Sequence, residues 1–329
     1  MHSGDWPVQL GQLTCSKLRL TEVLASGSNA HPVQERGCAG ALVPANVCVN
    51  TPRLPAVRLL KLSADPAVSD QASAAGGQHD VPVRRLPVGR ARALVWDIAE
   101  LAQEVPVFPV ERLLRVSALE QVRQSVSPRI SWAVLFLKAY AAVALRHPPL
   151  RQAWVSWPWP HLVEWPCSVG MLAMHRQQAD QPIVCWARFW RPEARSLAEL
   201  QRHLHWYQSQ PIETAFRRQI RFARFPRPLR RLIWWWNLHV AAAARARRLG
   251  TFSISSLAGQ GAFNRGHPSL LTTSLTYGPL DEHGRMAVTL LCDHRVLDGM
   301  LAAQALADLE EVLCGAIMRE LAGLPAKAA

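Results

Sequence analysis

The sequence predicts an α/β fold in which helices cover a mixed β-sheet, and three observations carry this. Long segments with helical apolar spacing alternate with separate short runs of β-branched and aromatic residues. Apolar residues make up 49% and charged residues 19% of the 329 residues, enough for a sizeable core and too ordered a composition for wholesale disorder. No run reaches roughly 18 uncharged apolar residues, so the apolar stretches are core elements and not membrane spans.

Residues 1–80 show little periodicity and end in a small-residue stretch around Ser73–Gly77. They are expected to form a poorly structured or accessory N-terminal extension, with the folded domain over 81–329. Arg90 to Gln103 is expected to be a helix, with Pro106 marking its end. Phe108 to Val116 fits a strand. Ser117 and Glu120 then have capping-box spacing for a short helix through Arg123. Ser131 to Arg146 is apolar nearly all round, as a helix packed on a sheet is, and His147-Pro148-Pro149 stops it. Val163 to Met174 and Gln181 to Phe189 are expected to be strands, and Ser196 to Tyr207 an amphipathic helix. Three further strands are expected at Thr251–Ser256, Leu270–Tyr277 and Arg285–Cys292, the last two joined by a turn around Gly278–Gly284. A closing helix runs from Leu297 to Leu321.

The formal net charge is +13, and nearly all of the positive charge is arginine. The segment 216–248 concentrates it: ten arginines from Arg217 to Arg248, no acid, and Trp234-Trp235-Trp236 in the middle. Three readings stand side by side. The segment binds the phosphates of a ligand or the acidic face of a partner protein, it lies as an interfacial helix on anionic lipid, or it is a solvated arginine face with tryptophans turned inward. No recognition helix or stacking module accompanies it, so nucleic acid is not expected as a partner. Trp154, Trp157, Trp159, Trp165, Trp186 and Trp190 either line an apolar channel or pack a core.

The seven cysteines form no CxxC pair and no zinc spacing, which fits a reducing compartment. No signal-peptide pattern opens the chain. A cytoplasmic protein is expected, with a peripheral position at the inner membrane face as the variant. His203 and His205 fall two apart on an expected helix and share no face for a metal. His267 lies between two of the expected strands, from where it could approach a cleft beside them.

The most informative stretch is CDHRVLDG, Cys292–Gly299. An apolar strand ends in a polar cluster, and a helix follows at once. Asp298 can cap that helix or take an arginine partner, and Gly299 permits close backbone packing. His294 at a strand end is either a proton acceptor facing a cleft or a satisfied packing histidine. Cys292, as the last strand residue, is expected to pack inward.

CDHRVLDG after AVTLL resembles the active-site signature of the catalytic domain of 2-oxoacid dehydrogenase dihydrolipoyl acyltransferases, which share the chloramphenicol-acetyltransferase-like fold. GTFSISSL, Gly250–Leu257, resembles the strand of that family that carries a hydroxyl supporting the oxyanion, with Ala258 where glycine is usual. Weaker similarity extends over roughly 81–325. The resemblance implies a two-layer sandwich of mixed sheet and helices, with His294 as general base, Ser255 at the oxyanion and Asp298 ordering the loop. Asp293 and Gly299 match the pattern, and Arg90 is the positional candidate for the arginine that pairs with the aspartate of the signature. It also implies a homotrimer with active sites at subunit interfaces. Nothing in residues 1–80 resembles a lipoyl or peripheral-subunit-binding domain, so a stand-alone member is expected.

The implied activity moves an acyl group from a thioester of coenzyme A or acyl-carrier phosphopantetheine to a hydroxyl, amine or thiol, and under it the ligand or partner of segment 216–248 would be coenzyme A or an acyl carrier protein. No covalently bound cofactor and no metal are called for. The alternatives are a non-catalytic oligomeric scaffold with the same fold, and a lipoyl-dependent acyltransferase served by a lipoyl domain on another chain.

Overall fold

The computed structural model describes residues 84–85, 89–178 and 181–326, which fall within one compact unit, Asp80–Ala329. The extension expected over residues 1–80 lies outside the described residues.

Helix α1 (Arg90–Leu101) closes in a short 3₁₀ turn before Pro106, and β1 spans Val107–Arg115. Helix α2 covers Ser117–Ser125, but the capping box expected from Ser117 and Glu120 does not form, for no side chain caps its first turn. Glu120 instead accepts from Arg123 at 2.6 Å and from Arg129 at 2.9 Å. Guanidinium donors outcompete a backbone N–H for one carboxylate. Burial pushes the Glu120 carboxyl up, yet the hydrogen bonds from Arg123 and Gln124 hold it below its ordinary value.

Helix α3 (Trp132–Arg146) is buried on most of its surface, as its composition predicts. The strand expected over Val163–Met174 is two strands. Pro166 removes a backbone donor between them. The first, β3 (His161–Glu164), pairs with β2 (Gln152–Val155), a strand absent from the expectation, as a separate hairpin. The second, β4 (Val169–Gln178), enters the main sheet and pairs with β5 (Gln181–Trp190). Helix α4 (Leu197–Ser209) does begin with a capping box, Ser196 with Glu199.

The basic segment folds as α5 (Ile212–Ala215), α6 (Arg217–Ala223), α7 (Arg227–His239) and α8 (Ala242–Leu249). Gly250, at φ 93°, ends α8 in a conformation that suits glycine, and β6 (Phe252–Ser256) follows. Strands β7 (Thr273–Leu280) and β8 (Arg285–Asp293) form a hairpin. Helix α9 (Gly299–Val312) starts two residues later than expected because Asp298 caps it. It continues through a π-turn, Leu313–Ile317, into α10 (Met318–Ala322).

The six-stranded sheet has the order β1-β8-β7-β6-β4-β5. It is mixed: β6 runs parallel to both β4 and β7, and the other pairs are antiparallel. Strand alternation decides which residues face which layer. Phe252, Ile254, Leu172, Tyr277 and Val288 join the core under α3 and α9. Phe136 of α3 stacks on Tyr277 at 4.5 Å, and Tyr140 packs on Phe252 at 4.7 Å.

The opposite face of β4, β5 and β6 is roofed by α1, α6 and α7. Arg230 of α7 bonds both carboxylate oxygens of Asp97 of α1, at 2.7 and 3.2 Å, and the Trp234 indole donates to the same group. Arg245 is buried and donates to the carbonyls of Trp154, Leu238 and Leu270 at 2.8–3.1 Å. Burial brings its guanidinium down to about 10. These two arginines are structural, which corrects a reading of the whole segment as a solvated face.

Candidate active site

Strand β8 delivers its last residue, Asp293, into a buried position. Its carboxylate accepts from the Arg295 backbone N–H at 3.0 Å and from the Arg295 guanidinium at 2.7–3.2 Å. That folds the chain back on itself immediately after the strand. The His294 N–H donates to the Pro106 carbonyl at 2.9 Å, which pins the turn to the start of β1. The ring packs against Phe108 at 4.8 Å, and its Nδ1 lies 3.0 Å from the Leu297 carbonyl oxygen. A carbonyl only accepts, so Nδ1 carries the proton and Nε2 of the neutral ring keeps its lone pair. The side chain is exposed.

Asp298 is exposed and caps α9 by accepting from the Leu301 N–H at 2.8 Å. Of the two roles open to it in the sequence, the structure shows the cap, and no arginine pairs with it among the described residues. The side chain of Arg90 lies outside the described residues, although its backbone opens α1. Gly299 begins α9, and no atom lies within 4 Å of where a Cβ would stand. Gly299 itself faces open space at the first turn of α9, while Ala302, Ala305 and Leu306 further along the helix are buried. Cys292 is fully buried, with its thiol pushed up to about 12 by burial and by the charge of Asp293, as a packing residue would be.

Ser255 sits on β6 with Ser253, both on the face turned away from α3. Its hydroxyl makes no hydrogen bond among the described residues, and it lines a cavity of about 700 Å³. Ser253 Oγ lies 2.6 Å from Ser274 Oγ, which lies 2.9 Å from His267 Nε2. His267 Nδ1 is buried with no partner among the described residues. Burial pushes its pKa below the ordinary imidazole value, so the ring is neutral at neutral pH.

His294 does not line that cavity. The chain therefore places His294 and Ser255 in different surroundings, and among the described residues the histidine that shares the cavity with Ser255 is His267. Its place between two strands makes His267 a minor candidate in sequence, and the connection from β6 to β7, folding back over the sheet, delivers it to the cavity. Ala258 stands where glycine is usual, and the left-handed residue of that connection is Gly261, at φ 68°.

No protein-family profile matches the chain, and no curated protein does. Solved structures do. A dihydrolipoamide acetyltransferase of Azotobacter vinelandii, determined in an investigation of a serine, a histidine and an asparagine in its catalytic mechanism, has TM-score 0.52 at 16% identity, covering 77% of this chain and 99% of that one. A truncated catalytic core of the 2-oxoacid dehydrogenase complex from Thermoplasma acidophilum has TM-score 0.54 at 16% identity, covering 71% and 99%. A probable dihydrolipoamide acetyltransferase from Listeria monocytogenes has TM-score 0.51 at 16% identity, covering 70% and 94%. With its mixed six-stranded sheet under helices, the chain has the chloramphenicol-acetyltransferase-like two-layer fold of the dihydrolipoamide acyltransferase catalytic core.

Proposed function

We propose that the protein is an acyltransferase that moves an acyl group from a thioester, of coenzyme A or of acyl-carrier phosphopantetheine, to a hydroxyl, amine or thiol. One observation carries the reading: the His294 ring has Nδ1 held by the Leu297 carbonyl and Nε2 presented, exposed, at the end of β8. The acceptor X–H attacks the thioester carbonyl carbon as Nε2 takes its proton. The new C–X bond forms, and the resulting oxyanion accepts a hydrogen bond from the otherwise unengaged Ser255 hydroxyl. Collapse breaks the C–S bond, and the proton on Nε2 passes to the departing sulfur. Asp298 acts through the cap that holds the following helix, and Asp293 through the turn it builds with Arg295; Arg90 and Gly299 are proposed as structural partners on the resemblance alone.

Three further features support this reading. The Azotobacter protein was investigated for a serine, a histidine and an asparagine, and this chain offers Ser255, His294 and Asp298. The two halves of the site stand apart in one protomer, as a homotrimer with interface sites requires. Apolar side chains beside each half are exposed, Met300 and Val107 near His294 and Leu257 near Ser255, as surface awaiting a second copy would be.

Among the described residues no helix is long and apolar enough to cross a membrane. Leu229, Leu232 and Trp236 nonetheless share an exposed face of α7 among arginines, which favours peripheral contact of a cytoplasmic protein with anionic lipid.

Thiol release from a panel of acyl thioesters tests the chemistry. His294→Ala is expected to lose about 10²–10⁴-fold in rate, and Ser255→Ala about 10²–10³-fold. Equal rates for wild type and His294→Ala overturn the assignment and favour the scaffold alternative. Activity confined to free dihydrolipoamide as acceptor selects the lipoyl-dependent alternative.

A further inference from the structure

The cavity that Ser255 lines is built for more than a small acyl group. Its floor is the outer face of β4, β5 and β6, with Met171, Ala173, Val184 and Trp186 beside the serines. Its roof is Ile98 of α1, Phe222 of α6 and Trp234 of α7, tied down by the buried Arg230–Asp97 pair. No carboxylate of the described residues lines it.

At one end it meets a second concavity of about 570 Å³, and Arg188, Arg218 and Arg248 line both. That second space adds Arg195, Arg247, Trp190 and His203, again without a carboxylate among the described residues. None of the five arginines forms an ion pair among the described residues, although thirteen such pairs occur elsewhere. Five guanidiniums held together without an anion repel one another. Burial first, and the charge of Arg218 after it, pull the Arg188 guanidinium below its ordinary value. One carboxylate satisfies two forked donors at most, whereas a phosphate ester presents several oxygens and up to two charges.

We propose that the cavity binds an amphiphile, an alkyl or acyl chain of at least eight carbons lying against β4–β6 with a phosphate-bearing end in the arginine-lined mouth. At roughly 30 Å³ per carbon group, about the share of a water molecule, a twelve-carbon chain fills about half of the 700 Å³. The site is concave, apolar within and polar at a few points, as small-molecule sites are. The inference rests on the acyltransferase reading for Ser255 being the reaction end of the chain. The binding itself does not, because it needs no turnover.

The test is calorimetry on the full chain with alkyl phosphates below their micelle concentration. Dodecyl phosphate is expected to bind, with affinity rising about fourfold per methylene from octyl to dodecyl. Inorganic phosphate and dodecanol are each expected to bind at least tenfold more weakly than dodecyl phosphate. The triple change Arg188→Gln, Arg218→Gln, Arg248→Gln is expected to weaken dodecyl phosphate at least tenfold. Ala173→Trp is expected to abolish binding by filling the floor, and Val184→Trp on the neighbouring strand repeats that test if the first variant melts early.

S-dodecyl coenzyme A and dodecanoyl lysophosphatidic acid separate the sources of the phosphate: tighter binding of the first indicates a thioester carrier, and of the second a lipid headgroup. Three results overturn the proposal: no heat from dodecyl phosphate with folded protein, no dependence on chain length, or full binding by folded Trp variants. A protein that binds dodecyl phosphate but releases no thiol from any thioester keeps this inference and loses the acyltransferase reading. The converse pair of results does the reverse.

Discussion

His294 works as a base only if its tautomer and direction are set before substrate arrives, and both are set by backbone groups. The Pro106 carbonyl holds its N–H, and the Leu297 carbonyl holds Nδ1. The position of Leu297 depends in turn on Asp298 capping α9. Asp298→Ala is expected to lower stability by about 1 kcal/mol, and Asp298→Asn to restore most of it, because both Asp and Asn accept at an N-cap; thermal melts of the two variants check this. His203 and His267 bear on pH. Burial pushes both rings below the ordinary imidazole value, with the Arg195 charge adding to it at His203. The unfolded chain binds protons there that the folded protein refuses, so stability is expected to fall as pH drops below about 6.5. His203 packs among Phe189, Trp206 and Tyr207. His203→Phe keeps that packing and removes one titrating group. Melting temperatures from pH 7.5 to 5 are expected to fall less steeply for it than for wild type.

At the scale of elements, the basic segment is the part whose purpose depends on what lies beneath it. Helix α7 is a roof fastened by Arg230 and Asp97, whose side chains are 10% and 3% exposed. Removing one partner of such a pair leaves a buried charge and costs about 3–5 kcal/mol. Asp97→Ala is therefore expected to lower the melting temperature and to open the α6–α8 segment to trypsin, which cuts at its arginines; time courses of digestion show whether cleavage there comes first. Unchanged digestion would mean that α7 is held by its apolar contacts with Ile98, Phe222 and Leu270 instead. Arg245 secures the other end of the same segment by bonding carbonyls from β2, α7 and the approach to β7. Two buried arginines thus carry structural contacts, Arg227 and Arg231 pair with Glu100, and Arg218 and Arg247 form no ion pair among the described residues.

For the molecule as a whole, the separation of His294 from the Ser255 cavity makes oligomerisation part of the proposed chemistry. Light scattering on the purified protein is expected to report a trimer. Subunits with His294→Ala and subunits with Ser255→Ala, each nearly inactive alone, are expected to recover about a quarter of wild-type activity per site when refolded as an equal mixture, since a random interface pairs two intact halves that often. No recovery would place both groups in one subunit.

Much of this architecture is readable in sequence. The all-round apolar pattern of Ser131–Arg146 announces a helix packed on a sheet, and CDHRVLDG and FSISS fall at strand ends, where the proposed chemistry is placed. Capping is read less reliably: Ser196–Glu199 makes its box, while the same spacing at Ser117–Glu120 loses its carboxylate to Arg123 and Arg129. The hairpin of β2 and β3 escapes notice because four-residue strands barely differ from loops in composition.

By itself the sequence determined the layering of the fold, through periodicities of 2 and 3.6 that sort residues onto faces, and it picked out His294 and Ser255. Only the tertiary structure decided that His267 joins Ser255, that Arg188 and Arg195 meet Arg218, Arg247 and Arg248, and that α7 closes a cavity. The physical reason is range. Side-chain alternation is a property of neighbours along the chain, whereas a pocket is a coincidence of segments far apart in it, set by which strands pair and which carbonyls a buried arginine must reach.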